Sequence, residues 1–239
     1  MTIDAAPRTG RSVRVAIVDS GVHARHPHVG GVAGGVGIED EGRLSNDFLD
    51  RLGHGTAVAG AIREKASEAE LYAVRIFDRA LSTNVQTLVT ALEWAVSARM
   101  HIVNLSLGTA NPKHEPALRQ AVEQATAAGI IIVAARDDGG VRWLPGSLPG
   151  VLPVRVDVDC PRETFRIDHH GEAVICRTSP YPRPIPGVPP ERNLNGISFA
   201  VANMTGFLAL ALDPSVRHSL GDAVLALQAL QESQSGAPR

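Results

Sequence analysis

A chain of 239 residues is long enough to bury a large apolar core in one domain or a small pair. Its 44% hydrophobic and 20% charged residues, with Gly 23 and Pro 16 dispersed among them, exclude wholesale disorder and collagen-like repeats. Lys plus Arg 23 against Asp plus Glu 25 leaves a net charge of -2, which gives no electrostatic attraction to nucleic acid or an anionic membrane; neither is expected as a partner.

Met1 to Val15 has no apolar signal core, and no later stretch approaches the roughly 18 apolar residues of a membrane span, so the chain reads as cytoplasmic. Residues 1–12 read as an N-terminal tail, 13–230 as a single domain, and 231–239 as a C-terminal tail. Short β-branched runs at Val13 to Val18, Leu71 to Ile76, Ile102 to Leu107, Ile130 to Ala135 and Val151 to Val156 predict strands buried on both faces. Between the second and third, Val85, Leu88, Val89, Leu92, Ala95 and Val96 recur at helical spacing, with Ser82 or Thr83 placed to cap the helix. Between the third and fourth, Leu118, Ala121, Val122 and Ala125 repeat the pattern, and Gly129 follows as a C-terminal stop. Strand and helix alternate, which predicts an α/β fold: a doubly wound, mainly parallel sheet with helices on both faces. Six prolines between 180 and 190 make Arg177 to Arg192 a loop. Phe199 to Leu212 and Leu220 to Leu230 read as two further helices.

Three segments carry polar side chains directly against small residues at the end of an apolar run or the start of a helix: VAIVDSG, HGTAVAG and NGISFA. Asp19 ends a buried strand, where doubly wound folds build their sites. His54 opens a helix start rich in small residues, and Ser198 precedes a helix whose N-terminal N–H groups favour developing negative charge. A serine hydroxyl is a poor nucleophile at neutral pH; it needs a base within reach and a partner that fixes the base's tautomer. Asp19, His54 and Ser198 supply the three roles of a nucleophilic hydrolase.

The sequence resembles the subtilisin-like serine proteases from about Val13 to Leu230. The family's D-[ST]-G motif stands as Asp19-Ser20-Gly21, followed by His26-Pro27; its H-G-T-H-V-A-G motif stands as His54-Gly55-Thr56-Ala57-Val58-Ala59-Gly60; and its G-T-S-M-A motif as Gly196-Ile197-Ser198-Phe199-Ala200. The resemblance implies a subtilisin-like fold and a serine endopeptidase working through an acyl-enzyme, with a peptide or protein as partner. It assigns Asp19, His54 and Ser198 as catalytic, and Ser106, Leu107, Gly108, Ala134, Ala135, Arg136, Leu81 and Ser82 as lining the substrate channel. The family's A-A-G-N segment reads Ala134-Ala135-Arg136-Asp137 here, so the oxyanion-hole position holds Asp137 in place of the amide donor. In this family loss of that amide costs roughly 10² to 10³ in turnover. Arg136 replaces a glycine at the rim of the specificity pocket, and Trp143 falls near the pocket's floor or packs against the sheet.

No cofactor and no metal are expected. The segment EKASEAE stands where many relatives carry a longer calcium loop, and Glu64, Glu68 and Glu70 lie at mixed spacing on a solvated face. His23, His26 and His28, and the pair His169-His170, have no carboxylate or cysteine at ligand spacing. Cys160 and Cys176 are too few for a disulfide scaffold and read as buried thiols or one optional bridge. Two functions follow: a specific intracellular processing protease, or a pseudoprotease that binds peptide in the cleft without cutting it. An acyl-enzyme resolved by an amine would make the first a ligase or cyclase.

Overall fold

The protein is described here by a computed structural model covering residues 8–39, 42–136, 140–171 and 173–235. Its centre is a sheet of nine strands: β1 (Arg14–Asp19), β2 (Gly34–Ile38), β3 (Leu44–Ser45), β4 (Glu70–Arg75), β5 (Ile102–Leu105), β6 (Ile131–Ala135), β7 (Val151–Val156), β8 (Arg166–His170) and β9 (Ala173–Thr178). The strand order is β3-β2-β4-β1-β5-β6-β7-β9-β8. All neighbours pair in parallel except the two edges, β2 with β3 and β8 with β9, which are antiparallel. The predicted α/β fold with a mainly parallel sheet is therefore what the chain forms.

Side chains alternate across a strand, so each buried strand feeds two cores. Val15 and Ile17 of β1 join one core with α1 (His54–Lys65), α4 (Ile197–Ala211) and α5 (Leu220–Ser235). Ala16 and Val18 join the other with α2 (Val85–Ser97) and α3 (Glu115–Ala127). Burial of a side chain such as Ile17 contributes about 1.5–3 kcal/mol, and both faces draw on it. Helix α4 is buried on every side from Phe199 to Ala209, as a helix apolar all round must be.

The observed elements depart from the sequence reading in instructive places. The cap of α2 is Asn84, whose side chain accepts a 2.9 Å bond from the Thr87 N–H, so neither Ser82 nor Thr83 serves. Strand β5 stops at Leu105, because Ser106 turns to meet α4. Strand β2 is glycine-rich, with only Val36 and Ile38 alternating into the core; Phe48 and the Ala73 carbonyl pack so closely on Gly35 that a larger residue would not fit, and Tyr72 lies against Gly34. Strand β9 includes Arg177 and Thr178, so the proline-rich loop starts later than read, and α5 continues past Leu230 to Ser235. Cys160 and Cys176 are free and buried, and burial pushes the Cys176 thiol up to about 12. Among the described residues no helix is long and apolar enough to cross a membrane.

Strand β1 lies between β4 and β5, the strands that precede and follow α2 in the chain. Crossovers leave a crevice at the carboxyl ends of such neighbouring strands. Asp19 ends β1, and Ser106 follows directly after β5.

Candidate active site

Asp19 has a side chain only 1% exposed, and its Oδ1 accepts two bonds of 2.7 Å, from the Ser20 N–H and from His54 Nδ1. Its Oδ2 is buried with no hydrogen-bond partner among the described residues, so much of the carboxylate's charge is left for the imidazole. Contact between the two side chains depends on Gly55. A Cβ there would stand 2.2 Å from the Gly21 carbonyl and 3.1 Å from the Asp19 Cβ, so a side chain would push α1 away from β1.

A second carboxylate fixes the same corner. Asp50 Oδ1 accepts from the Leu52 N–H at 2.9 Å, the Gly53 N–H at 2.8 Å and the Ser20 hydroxyl at 2.8 Å. Its Oδ2 accepts from the Thr56 N–H at 2.9 Å and the Thr56 hydroxyl at 2.5 Å. The residue before α1 is Gly53, in a left-handed conformation with no side chain to offer, so Asp50 takes the Thr56 N–H of the helix's first turn, together with the N–H groups of Leu52 and Gly53 in the turn before it. Ser20 in turn accepts from the Gly55 N–H at 2.9 Å. Asp50 therefore bonds both the turn after Asp19 and the helix that starts at His54. Burial opposes its ionisation, but the Thr56 hydroxyl and the surrounding N–H groups outweigh it and hold the carboxyl below its ordinary range. For His54, burial likewise works against charge, yet the bond to Asp19 and the charges of Asp19 and Asp50 raise it above the ordinary imidazole value.

Ser198 occupies the first turn of α4, behind Gly196. Its hydroxyl donates to the Ser106 carbonyl at 3.2 Å, while the Ser106 hydroxyl donates to the Ser198 carbonyl at 3.2 Å. Asn104 extends the chain inward: its amide donates to the Ser106 hydroxyl at 2.9 Å and accepts from Thr205 of α4 at 3.0 Å. Among the described residues, His54 makes no hydrogen bond to Ser198. The two face one cavity of about 340 Å³, which Phe77, Leu81, Ser106, Leu107, Gly108, Ala135, Arg136, Trp143 and Ile197 also line.

Of the residues expected in the channel, Ser106, Leu107, Gly108, Ala135, Arg136 and Leu81 thus meet His54 and Ser198. Two do not. The Ala134 side chain is fully buried in the α2–α3 core, because Ala135, one residue on, takes the opposite face. Ser82 lines a neighbouring hollow of about 250 Å³ instead. Trp143 borders the cavity and covers Gly108, where an added Cβ would come within 3.5 Å of the indole. Asp137 lies outside the described residues. The sequence reading missed Asp50, Phe77 and Ile197; for Asp50 the signal was an acidic residue four positions before His54, ahead of a helix start. Glu64, considered as a cation ligand, is instead ion-paired with Arg162 and with Lys65.

A family model described as the subtilase family matches residues 10–151. Subtilisin E of Bacillus subtilis is 34% identical over 141 residues, which are 55% of this chain and 36% of that protein. Subtilisin Savinase of Lederbergia lenta is 33% identical over 214 residues, 84% of this chain and 77% of its own. The chain thus spans little more than a third of several curated relatives it matches. A solved structure, of a cold adapted subtilisin-like serine proteinase, superposes with a TM-score of 0.70 at 20% identity, covering 94% of this chain and 82% of the other.

Proposed function

The chain belongs to the subtilase family, and from that premise we propose that it is a serine endopeptidase that cleaves a peptide or protein through an acyl-enzyme. The observation that carries the reading is the 2.7 Å bond between Asp19 and His54 beside a cavity that also holds Ser198. Bonding of Nδ1 to the carboxylate keeps the proton there and leaves Nε2 free as a base. In the proposed reaction the Ser198 hydroxyl turns from the Ser106 carbonyl toward the imidazole and gives up its proton as Oγ attacks the substrate carbonyl. Protonated His54, stabilised by Asp19, then donates to the leaving amine, and water attacks the acyl-enzyme by the reverse path. The Ser198 N–H is in the first helical turn with no acceptor among the described residues, and supplies a donor to the oxyanion. Leu107 and Gly108 make no backbone–backbone bond among the described residues, which supports their pairing with an extended substrate.

A cavity lined by Trp143 and carrying Arg136 supports processing of particular sequences over general digestion. One observation favours a second reading, peptide binding without cleavage: the hydroxyl of Ser198 bonds to Ser106 and not to His54. A fluorophosphonate probe separates the two. The protease reading expects labelling that disappears in Ser198→Ala; absence of labelling from pH 6 to 10 would leave the binder.

A further inference from the structure

We propose that Arg136 makes this cleft select a substrate residue with a carboxylate side chain on the N-terminal side of the bond to be cut. The proposal rests on the reading of the cavity as a peptide cleft. The wall around Ser198 is largely apolar, built from Phe77, Leu81, Leu107, Trp143 and Ile197; apart from His54, Arg136 is its one titratable side chain among the described residues. Arg136 is half-buried, and its Nε is buried with no hydrogen-bond partner among the described residues. No carboxylate among the described residues forms an ion pair with it. Arg75, which is more buried, and Arg162 and Arg177, which are half-buried as Arg136 is, are each paired with Asp or Glu. Arg14, Arg155 and Arg177 also have a buried Nε without a hydrogen bond, but Arg14 and Arg177 stand within ion-pair distance of Glu70 and Asp168, and none of the three borders this cavity.

A guanidinium does not escape partial burial by losing its proton, so it favours an anion that reaches it. Its planar fork matches a carboxylate with two parallel N–H donors. The backbone that carries it is fixed: the Arg136 N–H donates to the Val154 carbonyl at 2.9 Å at the end of β6, and Gly146 packs against the preceding carbonyl so closely that an added Cβ would stand 1.7 Å from it. Arg136 also borders a second hollow of about 630 Å³ lined by Leu148, Val174, Val224, Leu225 and His169, which has no carboxylate among its described lining residues either. A peptide laid along Ser106 to Gly108, with its carbonyl at Ser198, directs the side chain before that bond into the cavity where Arg136 waits.

The test uses acetyl-Ala-Ala-Ala-X coumarin amides with X as Glu, Gln or Lys, read in two ways. With the unaltered protein, kcat/KM for Glu is expected to exceed that for Gln by at least about tenfold. Arg136→Gln removes the preference, and Arg136→Glu shifts it to Lys. With Ser198→Ala, calorimetry on the same peptides is expected to show the same order of binding. Equal treatment of Glu and Gln in the parent, persistence of the preference in Arg136→Gln, or no binding of any of the three peptides by Ser198→Ala overturns the inference. Preferential binding of the Glu peptide without cleavage by the parent leaves the inference standing and removes the protease reading; cleavage without preference does the reverse.

Discussion

The two walls of the cavity are built on different terms. Behind His54, on the β1–α1 side, Asp19 holds the imidazole directly while Asp50 ties Ser20 to Thr56, so this side is bonded before any ligand arrives. On the opposite wall, the Arg136 Nε has no partner among the described residues and the Ser198 hydroxyl rests on a main-chain carbonyl. The difference teaches that the base is oriented by the fold alone, whereas the groups that would meet a substrate are held loosely: Ser198 by one replaceable 3.2 Å bond, and Arg136 with an Nε that bonds no described residue. Preorganised polar groups avoid reorganisation when charge develops, and loosely held groups beside them are what a substrate can complete.

The sharpest way to break this contrast is at the closed wall. Asp19→Asn is expected to preserve the fold yet lower kcat by about 10⁴-fold, because an amide favours the wrong imidazole tautomer; stopped assays on a peptide substrate with thermal unfolding in parallel check both halves. At the open wall, Asp137→Asn restores the residue that the family's motif carries at this position, and is expected to raise turnover by up to about 10² to 10³ if that amide donates to the oxyanion. Unchanged or lower turnover would remove Asp137 from that position.

Gly55→Ala tests whether the closed wall depends on close approach. The added methyl meets the Gly21 main chain, so a loss of about 1–3 kcal/mol in stability is expected with a matching fall in labelling of Ser198. Asp50→Asn is a smaller perturbation that sharpens the role of that residue. Activity governed by His54 as base is lost as pH falls through its pKa, which lies above the ordinary imidazole value, so the acid limb of kcat/KM should lie higher than that of free imidazole. Removing the Asp50 charge, which raises that pKa, should move the limb to lower pH; a limb that stays in place with only the melting temperature reduced would leave Asp50 a purely structural cap.

Much of this wall was legible residue by residue. The run VAIVDSG announced a buried strand ending in a carboxylate, and HGTAVAG a helix start too small-sided for anything but close packing. Asp50 was legible only as an acidic residue ahead of a helix start; its role was not, because its five contacts come from Ser20, thirty residues earlier, as well as from the Leu52–Gly53 turn and from Thr56 in α1. Nor was the exclusion of Ala134: it and Ala135 are alike in sequence, and only the pleat of β6 sends one into the core and the other to the cavity. Strand β2 was hidden because its glycines answer to the bulk of Phe48 and Tyr72, not to any periodicity of their own.

The sequence by itself determined the alternation of buried strands and helices, and with it the parallel sheet and the identity of the polar residues at its carboxyl edge, since hydrophobic period and local motif are properties of neighbours along the chain. Which of those residues meet was decided only in three dimensions. The pairing of Asp19 with His54, the resting bond of Ser198 to Ser106, and the Arg136 Nε that bonds no described residue each depend on distances between segments far apart in the chain, set by strand order and by the few places where a missing side chain lets two elements touch.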